Sequence, residues 1–120
     1  MFLLLLSLSW VHTFASHIVG GEFELLHVTG YTYQLNMILY FDVINGNPGA
    51  FDNQVNVEFY RKRDNWHMMT VLLSNPDRTR VSYTQPDCAN GNLITDRIFY
   101  STLVTLSPDQ FNDALGYYLS

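Results

Sequence analysis

The 120-residue chain is 48% apolar and only 14% charged, a balance too apolar for a disordered protein and long enough for one domain. Its formal net charge is −5, and three of its six cations are consecutive, at Arg61–Arg63. A phosphate backbone is bound through many spaced cations, so this charge distribution argues against nucleic-acid binding. Aromatic residues reach 15%, and because such side chains pack well on a pleated surface, the composition favours β-structure.

Residues 1–15, MFLLLLSLSWVHTFA, have the features of a cleaved signal peptide. The apolar run Phe2–Leu6 is followed by small residues, Thr13 and Ala15, at the positions expected before a cleavage site. The run is shorter than the about 20 apolar residues that a membrane span requires. We therefore predict cleavage after Ala15, export to the cell surface or beyond, no transmembrane span after cleavage, and a single module formed by residues 16–120.

The mature chain reads as successive strands. In Ile18–Val28, the pair Gly20-Gly21 suggests a bulge or a close approach of two backbones. Apolar and polar residues alternate along Tyr31–Asp42, and period two is typical of a half-buried strand. Further strands are predicted at Gln54–Arg61, Trp66–Leu73, Thr79–Thr84, Arg97–Leu106 and Gly116–Ser120.

Turn residues separate these runs. Asn45–Gly49 is a predicted loop, and Asn75–Asp77 has the composition of a tight turn, which predicts a hairpin between the strands on either side. Ser107–Gln110 could form one helical turn with Ser107 as its cap. Short strands at regular spacing predict an all-β, antiparallel, immunoglobulin-like β-sandwich. The residues predicted to point inward are Leu35, Met37, Leu39, Val55, Val57, Phe59, Val71, Ile98 and Val104.

Several short sequence blocks are informative when they are taken together and in their order along the chain. They are Ser16–Glu22, Tyr40–Asp42, Asn45–Ala50, Val81–Thr84 with Pro86, Cys88 and Ala89, Arg97–Ser101, and Gly116–Tyr118. This order resembles the N-terminal region of large gliding motility-associated surface proteins, which gliding bacteria export and which end in a type IX secretion sorting domain.

The resemblance covers essentially the whole mature chain. It implies an adhesin-like or structural surface protein built from many β-sandwich modules, of which this chain would be the first. It also implies that the polypeptide continues with further cysteines, and it brings no catalytic motif. The sorting domain is not among these residues, so that export route cannot be argued from them.

Two further features support the expectation of a longer protein. Cys88 is the single cysteine, which excludes a multi-cysteine zinc site. It is either a buried thiol or the disulfide partner of a cysteine outside this chain, and the second alternative fits a longer protein. The final residues, Tyr117–Ser120, stop inside a strand pattern. We therefore expect the sandwich to be incomplete at its C-terminus and completed by the rest of the same polypeptide.

The candidate metal site is a polar loop. Carboxylate and amide oxygens are ligands that calcium prefers, and such residues bracket the glycine-rich segment. The candidate ligands are Asp42, Asn45, Asn47 and Asp52. Their spacing does not match an EF-hand, and the alternative is that the side chains cap turns. No other cofactor is indicated.

Catalysis and histidine-based metal binding have little support. His17, His27 and His67 lie far apart without metal-ligand spacing, and nothing around Cys88 would activate its thiol. We therefore expect a non-catalytic protein. The first hypothesis is a structural or adhesive module of a large surface protein. The alternative is a self-contained secreted protein that binds a glycan or protein ligand through the polar loop or an aromatic face. That face would comprise Tyr40, Tyr60, Trp66 and Tyr83.

Overall fold

The structure, a computed structural model, describes residues 18–46, 52–82 and 94–120. Within these ranges the chain forms seven strands and no helix. The strands are β1 (Ile18–Thr29), β2 (Thr32–Asp42), β3 (Gln54–Arg61), β4 (His67–Ser74), β5 (Asp77–Arg80), β6 (Thr95–Thr105) and β7 (Tyr117–Leu119). The predicted signal peptide lies outside the described residues.

The strands form two antiparallel sheets, which confirms the all-β sandwich prediction. The first sheet has the order β1-β2-β6-β5 and the second has the order β4-β3-β7. The predicted bounds of most strands agree with the structure to within two residues, and those of β3 agree fully. The bulge predicted at the glycine pair is also confirmed, because the pairing of β1 with β2 shifts register between Ile18 and Gly20.

The core lies between the two inner sheet faces. Its buried members are Leu35, Phe41, Val57, Phe59, Leu73, Ile98, Tyr100 and Val104, with half-buried apolar side chains packed around them. Every residue predicted to point inward is in this core or packs against it. The sequence did not single out Tyr100, whose ring is fully buried and whose hydroxyl donates a hydrogen bond to the Asp52 carbonyl at 2.6 Å.

Strand β2 is buried on both faces, which its alternating pattern did not predict. Asn36 and Ile38 point away from the core and are nevertheless 2% exposed. Because β2 is a central strand, the side chains of its neighbours cover this face. The Asn36 amide donates a hydrogen bond to Glu24 on β1, and the Ser101 hydroxyl on β6 donates to the Asn36 carbonyl oxygen. These bonds satisfy a polar group that would otherwise be costly to bury.

The predicted hairpin across Asn75–Asp77 is wrong. Strand β4 belongs to the second sheet, whereas β5 belongs to the first and pairs with β6. The connection therefore passes from one sheet to the other. Its backbone is held by a left-handed Asn75, at φ 54°, whose N–H bonds the Asn53 carbonyl. The predicted strand Thr79–Thr84 is also displaced, since β5 begins at Asp77.

An ion-pair cluster explains why β5 lies beside β6. Asp96 of β6 is 4% exposed, and its two carboxylate oxygens accept hydrogen bonds from Arg78 and Arg80 of β5. The Arg78 guanidinium also lies 5.5 Å from the centre of the Phe41 ring. Burial would raise the pKa of Asp96, but the hydrogen bonds from Arg80 and Arg78 outweigh it, and the pKa lies below its ordinary value. Such a buried carboxylate needs β5 in place.

The two leucines at the end of β4 test the assigned faces. Leu73 is 0% exposed and its neighbour Leu72 is 52% exposed. We expect Leu73→Ala to lower the free energy of unfolding by about 2–5 kcal/mol through lost burial and a cavity. The matched control, Leu72→Ala, should change it by less than about 0.5 kcal/mol. Urea unfolding measures both, and equal effects would mean that the faces of β4 are reversed.

The Asp96 cluster predicts an acid-sensitive contribution to stability. A carboxyl whose pKa is lowered by folding stabilises the protein above its unfolded pKa of about 4, and this contribution is lost as the pH falls through the folded value. Asp96→Asn should therefore cost about 1–3 kcal/mol at pH 7 and less near pH 2. The exposed Asp77→Asn on the neighbouring strand β5 should cost less than about 0.5 kcal/mol. A cost for Asp96→Asn that is the same at both pH values would contradict this role.

Candidate functional site

The candidate site is an open flank of the sandwich, formed by edge strand β1 and the groove beside it. In the described residues the first sheet has four strands and the second has three, so the second sheet ends before it covers β1. Phe23 and Leu25 of β1 share a face with the core residues of β2, yet they are 42% and 41% exposed. Leu35, which pairs with Leu25, is fully buried. Apolar side chains of this face are therefore left open at the flank.

A groove of about 420 Å³ runs between the two sheets at this flank. Its lining is entirely apolar or aromatic and comprises Leu25, Tyr31, Tyr33, Phe59, Leu106, Pro108, Phe111, Tyr117 and Leu119. A groove of this size can take several apolar side chains. An apolar lining of this kind favours ligands that bury apolar surface.

The connection between β6 and β7 builds one wall of the groove. Its turn begins at Ser107, as predicted, because the Ser107 carbonyl accepts the N–H of Gln110 and of Phe111. Phe111 then packs edge-on against Tyr117 at 4.9 Å and against Phe59 at 6.2 Å between ring centres. These aromatic contacts hold the wall against the second sheet in advance of any ligand.

A hydrogen bond and an ion pair fix the same wall from outside. The N–H of Asp113 donates to the Tyr117 hydroxyl at 2.9 Å. Arg63 donates to the Asp113 carboxylate, and this hydrogen bond holds the pKa of Asp113 below its ordinary value. Two of the three cations in the run Arg61–Arg63 are thus in ion pairs, since Arg61 pairs with Asp64 at 2.7 Å.

The charge of the flank is acidic. The segment 18–46, which forms β1 and β2, contains Glu22, Glu24 and Asp42 and no lysine or arginine. The segment 106–120, which forms the opposite wall, contains Asp109 and Asp113 and again no lysine or arginine, although Arg63 of another segment pairs with Asp113. Of these acids, Glu22 and Glu24 lie on one face of β1, two residues apart, and pair with Ile38 and Asn36 of β2.

The candidate calcium loop is described only in part. The Asp42 carboxylate accepts the N–H groups of Ile44 and Asn45, both at 3.1 Å, and the Asn45 side-chain amide at 2.9 Å. This geometry favours turn capping, the alternative to metal binding. Asn47 lies outside the described residues, and Asp52 uses its backbone carbonyl for Tyr100. In the described ranges no three His, Cys, Asp or Glu residues are grouped to hold a metal ion.

Only some residues of the candidate aromatic face lie together in the structure. Tyr60 of β3 stacks on Tyr118 of β7 with ring centres 5.3 Å apart, and Trp66 is 64% exposed at the start of β4. Tyr40 lies on the other sheet, so it is not a member of this cluster, and Tyr83 is outside the described residues. Tyr118 was missed because a strand's pairing partner cannot be identified from alternation alone.

His67 forms a polar cluster beside these aromatic residues. Its Nε2 lies 2.5 Å from Glu58 Oε2, and the same oxygen accepts the Thr70 hydroxyl. Hydrogen bonds from Thr70 and then His67 lower the pKa of Glu58. A nucleophile relay needs the acid on one imidazole nitrogen and the hydroxyl on the other, whereas here Glu58 and Thr70 share one nitrogen. Of the other residues considered for chemistry, His27 contacts the Gly30 carbonyl, and His17 and Cys88 lie outside the described residues.

The groove itself was not anticipated from the sequence. The alternation along Tyr31–Asp42 puts Tyr31 and Tyr33 on the same face as Leu35, but which residues of that face stay uncovered depends on how many strands each sheet has. Comparison with protein-family models, with curated proteins and with solved structures found no match. Among the described residues, no helix has the length and hydrophobicity to span a bilayer.

Phe111 tests whether the wall of the groove is an organised part of the fold. Phe111→Ala removes both ring contacts, and because this ring is only partly buried we expect a cost of about 1–3 kcal/mol, less than for a core phenylalanine. Leu115→Ala is the control, since Leu115 lies in the same connection and is mostly exposed. It should cost less than about 0.5 kcal/mol in the same urea titration. Equal, small effects would mean that the wall is not packed on the sandwich.

Proposed function

We propose that this chain is a non-catalytic structural or adhesive module of a large exported surface protein, linked to gliding motility or adhesion. The observation that carries the proposal is the open flank: a sandwich that leaves Phe23, Leu25 and an apolar groove uncovered has a surface suited to another polypeptide. The sequence resemblance to gliding motility-associated surface proteins supplies the setting.

The chemistry of the groove supports a binding role over a catalytic one. Its lining is apolar and aromatic, and the cluster of Glu58, His67 and Thr70 lies on the outer face of the second sheet without relay geometry. Surfaces with a large apolar area and few charges bind by burying that area. The rest of the same polypeptide is the first partner that such a module would contact.

Export is supported by the sequence of residues 1–15. An oxidising compartment would let Cys88 form a disulfide with a cysteine outside this chain.

The Asp42 loop is a secondary calcium candidate within the same proposal. The melting temperature of the purified protein, measured with and without added calcium, tests it.

The second candidate is a self-contained secreted binding protein. A specific observation favours it: the Tyr60–Tyr118 stack and the exposed Trp66 lie at the same end of the second sheet, where β3 pairs with β4 and β7. Aromatic rings of this kind can stack on the apolar faces of sugars. Loss of glycan binding in Trp66→Ala, with the open flank unchanged, would support this alternative.

Surface location is tested in cells that naturally make the protein. An epitope inserted after Ser120 should be removed when intact cells are treated with protease, and N-terminal sequencing of the protein should begin at Ser16. Retention of Met1 together with protection from protease would contradict export.

The role of the flank is tested by two neighbouring leucines of β1. Leu25 lines the groove, and Leu26 is similarly exposed on the opposite face of the same strand. We expect Leu25→Asp to reduce cell attachment or gliding by several fold, because a charge in the groove would oppose burial. Leu26→Asp should leave both unchanged. Equal behaviour of the two variants would remove the flank from the proposed function.

A further inference from the structure

We propose that the open edge of β1 binds an extended segment of a partner polypeptide in which basic and apolar residues alternate, and that this segment adds to the first sheet as a fifth strand. The inference rests on the proposed function, since it names the partner chemistry of the same open flank. Three properties of β1 carry it: a backbone edge that pairs with no other strand in the described ranges, an uncovered apolar face and a pair of glutamates.

The backbone of β1 is the longest strand edge in the described structure. β1 has 12 residues and is bonded to β2 on one side, whereas the other edge strands β4, β5 and β7 have eight, four and three residues. Alternate residues of such a strand direct N–H and C=O groups away from the sheet, which is the template for adding another strand. Proteins commonly protect these edges with lysine or proline, and β1 contains neither.

Two register shifts limit where a partner strand would bind. One lies between Ile18 and Gly20 and the other between His27 and Thr29. A bulge bends its strand and interrupts regular pairing, so the ends of β1 are poor templates. The regular ladder runs between them, from Gly20 to His27. A partner strand of about 5–6 residues, the common strand length, would fit this stretch.

The side chains of the regular stretch define the partner's sequence pattern. Phe23 and Leu25 point to the inner face, where they are exposed beside the groove. Glu22 and Glu24 point to the outer face. Since neighbouring strands place paired residues on the same face, apolar residues of a partner would lie beside Phe23 and Leu25 and extend the core. Cations at the alternate positions would lie beside the two glutamates.

In the registers centred on Phe23 or Glu24, the middle of the regular stretch, the same glutamates argue against a second copy of this chain as the occupant. Antiparallel pairing of two β1 strands about Phe23 would place Glu22 opposite Glu24 of the other copy, and pairing about Glu24 would place that residue opposite itself. Like charges directly opposite each other destabilise a strand pair. The formal net charge of −5 adds long-range repulsion between copies.

The probe is a nine-residue peptide that alternates lysine and valine, labelled with fluorescein and titrated with the purified protein at physiological ionic strength. We expect it to bind at least about tenfold more tightly than two controls, a peptide that alternates glutamate and valine and a block peptide of the same lysine–valine composition. Hydrogen exchange at the amides of Gly21–Leu25 should slow when the peptide is bound. Binding of the block peptide with equal affinity would overturn the strand geometry.

A charge-reversal variant distinguishes peptide binding at the β1 edge from binding elsewhere on the surface. Glu22→Lys should weaken binding of the basic peptide by about fivefold and strengthen binding of the acidic one. Asp77→Lys makes the same charge change on β5, at the other edge of the same sheet, and should leave both affinities unchanged. Equal effects of the two variants would show general charge attraction and overturn the proposal.

Two other outcomes would also overturn it. If the basic peptide does not bind, β1 is not a site for such a strand, although the loss of attachment in Leu25→Asp would still support the proposed module. If sedimentation shows a concentration-dependent dimer that Glu22→Lys strengthens, the occupant is a second copy. Conversely, peptide binding by a protein that is never found on the cell surface would leave this inference standing and remove the proposed function.

Discussion

Among the described residues, one sheet has four strands and the other three, and the proposed binding role depends on this inequality. Two sheets bury their inner faces only where they overlap, and here the overlap ends at β2. Leu35 of β2 is therefore fully buried, whereas its partner Leu25 on β1 is 41% exposed. The uncovered apolar surface is a cost to the isolated module, and its burial is a source of binding free energy for whatever covers it.

The other contacts in the fold keep this flank open in a defined shape. The Asp96 cluster fixes β5 at the far edge of the first sheet, so β5 is not available to cover β1. On the near side, Phe111 and Tyr117 hold the β6–β7 connection against the second sheet. Because this connection is held in place, the groove beside it is an organised feature of the fold. A partner would meet a surface that needs little rearrangement, which lowers the cost of binding.

The sequence predicted the strands and their inward faces because alternation is a local property of each strand. Leu35, Val57 and Ile98 could all be assigned to the core from their own neighbours in sequence. Sheet membership was not predictable in the same way: Asn75–Asp77 has the composition of a hairpin turn, yet it connects two sheets. What decides between these outcomes is the pairing of Arg78 and Arg80 with Asp96, which lies about 16 residues further along the chain.

The candidate site illustrates the same limit. The groove is formed by residues of β1, β2, β3, β7 and the β6–β7 connection, and no local pattern marks them as a set. Glu22 and Glu24 are visible in the sequence as an alternating acidic pair, but their meaning depends on β1 being an edge strand. Conversely, the polar loop could be identified from the sequence as a candidate site, but in the structure the Asp42 carboxylate accepts hydrogen bonds from the N–H groups of its own turn.

The most direct test of this account is the accessibility of the inner face of β1. In a Cys88→Ser background, a thiol can be introduced by Leu25→Cys on β1 or by Leu35→Cys on β2, the residue that pairs with it. At low protein concentration under native conditions, we predict that the thiol at position 25 reacts with a maleimide reagent at close to the rate of an unfolded control. The thiol at position 35 should react at least about a hundredfold more slowly, since it is reached only by opening of the fold. Equal protection at both positions would show that the flank is closed and would contradict the account.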